Sequence, residues 1–185
     1  ATDLWQPTEL VDPTCSGACA DDHLSLKADS AGRVFSVIKT GLTGANEALN
    51  VVAVRSAAGS WSRTVCGVVS EHHTRAILLL DEQNGTVYVL ATAPEAGGAI
   101  YYKSSPIDNL FFEPGLGTPF LLNTTDLTIN NITSTKQNLN DATGLLGLAS
   151  DQNTRFYLHN FLDFSPPGNP PTITSLAPAS GPAGT

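Results

Sequence analysis

The stretch that decides the fold reads His73-Thr-Arg-Ala-Ile-Leu-Leu-Leu-Asp81, then Glu-Gln-Asn-Gly85, then Thr-Val-Tyr-Val-Leu90. It joins two short apolar runs through a turn that contains Asn-Gly. Runs of this length and composition are typical of strands, and an Asn-Gly between them is typical of a tight hairpin turn. We therefore predict a β-hairpin whose first strand ends at Asp81.

The same pattern occurs twice more along the chain. One copy reads Asp21-Asp-His-Leu-Ser-Leu-Lys-Ala-Asp29, and the other reads Thr143-Gly-Leu-Leu-Gly-Leu-Ala-Ser-Asp151. Asp29, Asp81 and Asp151 thus take equivalent places, each before a turn and a strand that carries an aromatic residue. An Asp side chain there caps the turn by accepting backbone N–H bonds. Because the segments lack the dense oxygen ligands of calcium loops, we predict a structural role and no metal.

Further strand-like runs lie between the hairpins. Residues 50–56 and 60–69 complete a first unit of four strands, and residues 98–103 with an outer strand near Leu122 complete a second. A repeating unit of four antiparallel strands is typical of a β-propeller blade. We therefore predict an all-β fold: a partial β-propeller over residues 1–165, with two full four-stranded antiparallel blades and parts of others. The alternative is a β-sandwich whose hairpins resemble one another by accident.

The tail differs in composition from the rest of the chain. Residues 166–171 belong to a Pro-rich stretch, Phe164-Ser-Pro-Pro-Gly-Asn-Pro-Pro171, which we predict to be a linker. Residues 172–185 read Thr-Ile-Thr-Ser-Leu-Ala-Pro-Ala-Ser-Gly-Pro-Ala-Gly-Thr. This segment resembles the first strand of an IPT/TIG domain, which has an immunoglobulin-like fold. The resemblance implies a longer parent protein that continues into such a module, as large bacterial surface and secreted proteins do.

Residues 1–165 also resemble a family. The segments that carry the likeness are Asp22-His-Leu-Ser-Leu-Lys27, Ala99-Ile-Tyr-Tyr-Lys-Ser-Ser-Pro-Ile-Asp-Asn109, Thr133-Ser-Thr-Lys-Gln-Asn138 and Tyr157-Leu-His-Asn160. They resemble the C-terminal half of secreted bacterial β-propellers that are loosely akin to the sialidase/BNR-repeat group. The sialidase motif Ser-x-Asp-x-Gly-x-Thr-Trp is approached by Asp81-Glu-Gln-Asn-Gly-Thr-Val-Tyr88, in which the Trp is replaced. The resemblance therefore implies a secreted propeller without implying glycosidase activity.

Composition limits the classes of partner. The chain has 185 residues, with 9 Lys and Arg against 17 Asp and Glu, and a formal charge of −8. No run of Lys or Arg occurs, which argues against a nucleic-acid partner held by phosphate contacts. No apolar stretch approaches the roughly 20 residues that span a bilayer. Because the chain contains no Met, we expect it to be a processed or excised piece of a longer protein.

Cysteines and sequons indicate an exported protein. Cys15 and Cys19 lie in Cys-Ser-Gly-Ala-Cys, and Cys66 lies in an apolar run. We predict a Cys15–Cys19 disulfide with Cys66 as a buried thiol; a bridge from Cys66 to one of the other two is the alternative. Candidate glycosylation sites, each an Asn-x-Thr triplet, are Asn84, Asn123 and Asn131. With few Lys and many Thr, Ser and Asn residues, these features favour a secreted or cell-surface location.

In a propeller the first strands of the blades line a central channel, and ligands bind at one mouth of it. We therefore predict a ligand site from residues at the starts of those strands. They are Asp21, Asp22, His23, His72, His73, Arg75, Lys136, Gln137 and Asn138. Arg75 would grip a carboxylate, and Asp21 or Asp22 would act as an acid or base; the alternative is a set of polar channel residues bonded to water. Adjacent residues such as His72 and His73 point to opposite faces of a strand and would not bind one metal ion, so no metal site is predicted there. No cofactor is predicted.

Three functions are compatible with these features. The first is an extracellular propeller module of a multidomain bacterial protein that binds a glycan, a surface or a partner chain. It is favoured because no complete catalytic motif occurs, although an enzymatic role is left open. The alternatives are a sialidase-like glycoside hydrolase or lyase with its site at the channel mouth, and a subunit of an extracellular assembly. Because two blades cannot close a ring, we expect blades from the parent or from another chain to complete the propeller.

Overall fold

The computed structural model describes residues 7–12, 17–122 and 128–164. In these residues the protein consists of eleven strands and one short 3-10 turn, Val69–Glu71, with no α-helix. The predicted all-β class is therefore confirmed. The part of the chain that is described holds no helix long and apolar enough to cross a membrane. The predicted linker at 166–171 and the IPT/TIG-like strand at 172–185 lie outside the described residues.

The strands form three antiparallel sheets, and each sheet is a meander of consecutive strands. The first sheet contains β1 (Leu24–Ala28), β2 (Val34–Lys39), β3 (Ala48–Arg55) and β4 (Trp61–Val68). The second contains β5 (Thr74–Asp81), β6 (Thr86–Ala93), β7 (Ala99–Pro106) and β8 (Thr118–Leu121). The third contains β9 (Ile129–Ser134), β10 (Leu145–Asp151) and β11 (Tyr157–Leu162). Two of the described sheets thus have the four antiparallel strands predicted for each unit, and the third has three.

The β5–β6 hairpin follows the sequence pattern that predicted it. Asp81 pairs with Thr86 at the end of the ladder, and Gly85 in the turn between them adopts a φ of 63°. Glycine takes this left-handed conformation without the steric penalty that a Cβ brings. The Asn-Gly of the turn therefore determines where β5 ends and β6 begins.

The second sheet is buried on both of its faces. Leu78 and Leu79 are neighbours on β5, and their side chains point to opposite faces because successive side chains of a strand alternate. Leu78 packs with Phe35 of the first sheet, whereas Leu79 packs with Leu145 of the third. Both leucines are no more than 1% exposed. The three sheets therefore stack in series with two separate apolar layers between them, and the continuous apolar run of β5 reflects burial on both sides.

The first strands of the three sheets lie side by side. The backbone N–H of Leu78 on β5 donates to Ser25 Oγ on β1 at 3.2 Å, and β5 also contacts β9. We call the end of the stack where these strands begin the entry end, and the end where they finish the exit end. Because a meander of four antiparallel strands ends where it began, the first and second sheets both finish at the entry end, and the next sheet starts there.

The third hairpin differs from the predicted repeat. Asp29 and Asp81 end the first strand of their sheets, but Asp151 ends β10, the second strand of the third sheet. Since β10 runs back along β9, Asp151 pairs with Ile129 at the entry end, opposite to Asp29 and Asp81. The predicted equivalence therefore does not hold for Asp151, because the sequence pattern did not reveal β9 before it.

Candidate functional site

The three turn aspartates all accept backbone N–H bonds from the turn that follows. Oδ1 of Asp29 accepts from the N–H of Arg33 at 2.7 Å, and Oδ1 of Asp81 accepts from that of Asn84 at 3.0 Å. Oδ1 of Asp151 likewise accepts from the N–H of Asn153 at 3.0 Å. These bonds account for the burial of all three carboxylates. Among the described residues, no group of His, Cys, Asp and Glu is arranged to hold a metal ion.

The predicted mouth residues are divided between the two ends of the stack. Asp21 and Arg75 lie at the entry end, around a lysine that the sequence did not single out, Lys39 at the end of β2. Its Nζ lies 2.9 Å from Asp21 Oδ2 and 2.7 Å from Glu95 Oε1. Arg75 Nη1 donates to Asn130 Oδ1 at 3.3 Å. We call these five residues the entry cluster.

Lys39 holds both carboxylates of the entry cluster in the ionised form. Its hydrogen bond lowers the pKa of Asp21 to about 2. The hydrogen bond from the same ammonium group also lowers the pKa of Glu95. An opposite charge at hydrogen-bond distance favours the charged form of a carboxyl group. Neither residue therefore carries a proton at neutral pH that it could donate to a substrate.

We expect the Asp21 carboxyl group to titrate with a midpoint near pH 2, well below the roughly 3.9 of an unperturbed Asp. Because the folded-state pKa is the lower one, the ion pair contributes stability above about pH 4 and loses it as the pH falls toward 2. The NMR shift of the Asp21 carboxyl carbon against pH measures the midpoint. In Lys39→Met the midpoint should rise toward 4, and a wild-type midpoint already near 4 contradicts the ion pair.

Of the remaining predicted residues, Asp22 and His23 lie beside the entry cluster, since the Asp22 N–H donates to Asp21 Oδ1 at 2.7 Å, and the others lie elsewhere. The Asp22 carboxylate contacts His23 Nδ1 before β1, and His72 ends the 3-10 turn. Lys136, Gln137 and Asn138 follow β9 rather than precede a first strand, so they lie at the exit end. There Asn138 Nδ2 donates to the carbonyl of Ala28, the last residue of β1, at 2.9 Å. The structure therefore does not bring the predicted residues together at one mouth.

A groove runs along the adjacent first strands toward the exit end. It has a volume of about 390 Å³ and is lined by residues 24–27 of β1, 77–79 of β5 and 133–136 at the end of β9. Lys27 spans it, because its Nζ donates to the carbonyls of Thr135 at 2.9 Å and Lys136 at 2.7 Å. Burial, together with the charge of Lys136, lowers the pKa of Lys27. None of the ion pairs among the described residues includes either lysine.

His73 lies in a buried polar cluster and not at a mouth. Lys103 Nζ is 2.8 Å from Glu71 Oε2, and Glu71 Oε1 accepts from the N–H of Gly115 at 2.7 Å. His73 Nε2 lies 3.0 Å from the carbonyl oxygen of Leu116. Burial, reinforced by the charge of Lys103, lowers the pKa of His73. The cluster therefore fastens the β7–β8 connection across the seam between the first and second sheets.

The cysteines and sequons occupy different surroundings. Cys66 is a free, buried thiol, and burial raises its pKa to about 12, so it is unreactive at neutral pH. Cys19 is disulfide-bonded; its predicted partner Cys15 lies outside the described residues, as does the sequon at Asn123. Asn84 and Asn131 are both exposed. Asn84 Nδ2 donates to the carboxylates of Asp81 and Asp141, at 2.9 and 2.7 Å.

Two comparisons with known proteins gave no match. No family model matches the chain, and no curated protein matches its sequence. The features that bear on function are therefore the groove, the entry cluster and the exposed faces of the outer sheets.

Proposed function

We propose that the chain is an exported β-propeller module that binds an acidic glycan in the groove along its first strands. The observation that carries this proposal is the position of Lys27 and Lys136 in a groove lined by β1, β5 and β9. Serial meander sheets whose first strands lie side by side are the arrangement of propeller blades around their channel. These two lysines have no carboxylate partner among the described residues. The groove is therefore suited to binding an anionic ligand.

The chemistry of the groove suits a sugar acid. An ammonium group has three N–H donors, and Lys27 uses two of them on carbonyls, so one is left for a ligand carboxylate. An anion between Lys27 and Lys136 would relieve their mutual repulsion, and charge-assisted hydrogen bonds of this kind are the strong ones. The hydroxyl groups of Thr133 and Thr135 suit sugar hydroxyls.

The glycosidase alternative is less well supported. Glycoside hydrolysis needs one carboxylic acid whose pKa is raised enough to protonate the leaving oxygen. In the entry cluster the pKa values of Asp21 and Glu95 are both lowered. These two carboxylates are thus suited to holding Lys39 in place and unsuited to acid catalysis, which favours binding over turnover.

Titration calorimetry with sialyllactose, and with lactose as the neutral counterpart, tests the proposal. We expect the acidic sugar to bind more tightly, and Lys27→Gln to weaken its binding about tenfold, or about 1.4 kcal/mol, with lactose unaffected. Arg155→Gln, an exposed charge change in the β10–β11 turn away from the groove, is the control and should leave binding unchanged. Equal affinities for the two sugars, or a silent Lys27→Gln, would overturn the proposal. Release of lactose from sialyllactose would favour the hydrolase.

A further inference from the structure

In the described residues, the two outer faces of the three-sheet stack both carry exposed apolar side chains. We call the outer face of the first sheet the rear face and the outer face of the third sheet the forward face. On the rear face the exposed apolar residues are Leu24, Leu26 and Val65. On the forward face they are Leu146, Leu148 and Phe161. Apolar side chains grouped on one exposed sheet face are a feature of protein–protein contacts.

The two free faces are complementary in direction. The second sheet receives the first sheet on one side and the third on the other. In each of these contacts, the side of a sheet that faces the third sheet's end of the stack (its forward side) packs against the opposite side (the rear side) of the next sheet. A forward face of one copy against a rear face of another repeats the contact that the chain already makes twice. This continuity favours a second copy of the chain over an unrelated partner.

The third sheet also lacks a strand that the rear face is placed to supply. In the described residues β11 pairs only with β10 and forms an open edge. Residues 7–12 run across the rear face, where Glu9 binds Arg55 through two contacts of 2.7 Å and Asp12 binds Arg63. They leave a cleft of about 630 Å³ that reaches from Leu10 to the exposed Leu24 and Leu26 of β1.

Residues 7–12 thus lie where the outermost strand of a sheet docked on the rear face would run. A docked third sheet would place its strands β9, β10 and β11 over the cleft, and residues 7–12 would lie beside β11 as the fourth strand. Both edges would then be closed, which removes the exposed ladder that an open strand presents to other chains.

The number of sheets selects how many copies can close a ring. Propellers typically have four to eight blades. The three sheets of the described residues are too few for one copy to close, two copies supply six, and three copies exceed the usual range. With two copies related by a two-fold axis, both forward-on-rear contacts form at once and no face is left free. A head-to-tail contact that closes in this way gives a defined dimer instead of an open fibre.

We propose that two copies of this chain close a six-sheet propeller, each third sheet docking on the rear face of the other copy. The β11 edge of each copy then pairs with residues 7–12 of the other, so that every sheet has four strands. This inference rests on the propeller architecture proposed above. It names the partner that completes the ring, and it is independent of the ligand in the groove.

Light scattering coupled to gel filtration tests the dimer. The wild type should have roughly twice the chain mass of 19.3 kDa. Leu26→Asp on the rear face and Leu148→Asp on the forward face should each give a folded monomer, because both side chains are exposed in the single chain. Phe111→Asp, at an exposed apolar residue of the β7–β8 connection, is the matched control and should stay dimeric. Circular dichroism verifies that each variant is folded.

Mixing the two variants tests the head-to-tail geometry. Leu26→Asp keeps a native forward face and Leu148→Asp keeps a native rear face, so together they should recover one contact and the mass of a dimer. A dimer of like faces predicts that one variant remains dimeric alone, which would overturn the proposal. So would a monomeric wild type, or a mass that grows in steps with concentration. A monomer that still prefers sialyllactose overturns the dimer alone, and a dimer without that preference overturns only the glycan site.

Discussion

Replacing Lys103 with alanine is expected to destabilise the fold by about 3–5 kcal/mol, because removal of one partner leaves a buried charge uncompensated. Lys103 and Glu71 are both less than a tenth exposed, and their charged atoms lie 2.8 Å apart. The ammonium group also donates to the carbonyl of Cys66 at 2.9 Å. Without it, the buried Glu71 carboxylate keeps the hydrogen bond from the Gly115 N–H and the contact with His73 Nδ1 at 3.3 Å, but it loses its only lysine partner among the described residues. Urea denaturation of the wild type and the variant measures the difference.

The paired replacement is the informative control for this prediction. Lys103→Met combined with Glu71→Gln removes both charges and keeps the side-chain volumes, so much of the lost stability should return. Lys136→Ala, at an exposed lysine, should change the free energy of unfolding by less than about 0.5 kcal/mol. If Lys103→Ala were as mild as Lys136→Ala, the buried ion pair would not fasten the seam between the first two sheets.

Leu78→Ala and Leu79→Ala should each cost about 2–5 kcal/mol, because each deletes a fully buried leucine side chain and leaves a cavity. The two residues are neighbours on β5 and belong to different apolar layers. Equal and large losses are therefore the mark of a sheet that is covered on both faces. Chemical denaturation with one probe for the whole chain gives both values under the same conditions.

Phe111→Ala serves as the control for the leucine pair. Phe111 is 59% exposed, so its truncation should change stability by only a few tenths of a kcal/mol. A sheet packed on one side would give one large loss and one small loss within the pair. That outcome would contradict the serial stack and, with it, the propeller arrangement that both proposals use.

The hairpins could be predicted because their signals are local. Around β5 and β6, apolar runs, an Asp and an Asn-Gly turn stand next to one another in the chain, and each determines the backbone where it stands. The same signals predicted the four strands of the first sheet and the first three of the second, whose fourth was expected only as an outer strand near Leu122. They also identified β10 and β11, although their place within the third sheet was not evident.

The strand that the sequence did not reveal is β9. Its second and third residues are Asn130 and Asn131, and consecutive Asn residues are more typical of turns than of strands. Asn130 is nevertheless only 1% exposed, and its Oδ1 accepts from the N–H of Asn131 at 2.9 Å. Asn131 adopts a φ of 56°, a conformation that Asn tolerates better than most residues. Packing of β9 against the second sheet therefore overrides its weak intrinsic preference.

The roles of the candidate site lysines also depend on contacts that are distant in sequence. Lys27 and Lys39 lie within strands, where nothing in their neighbourhood of sequence distinguishes them from solvated charges. Their roles depend on partners far along the chain: Lys27 meets the carbonyl of Lys136, and Lys39 meets Glu95. Because β9 was not predicted, Lys136, Gln137 and Asn138 were expected at the start of a first strand, whereas they follow β9 and lie at the exit end.

Residue order alone was thus enough to establish an all-β chain of meander hairpins with aspartate-capped turns. Turn chemistry and alternation act over a few bonds, so they can be read from neighbouring residues. Which strand ends meet, which lysines face a common groove and which sheet faces are left bare depend on how whole sheets stack. Stacking is determined by apolar burial summed over many distant side chains, and for that reason it became visible only in the folded molecule.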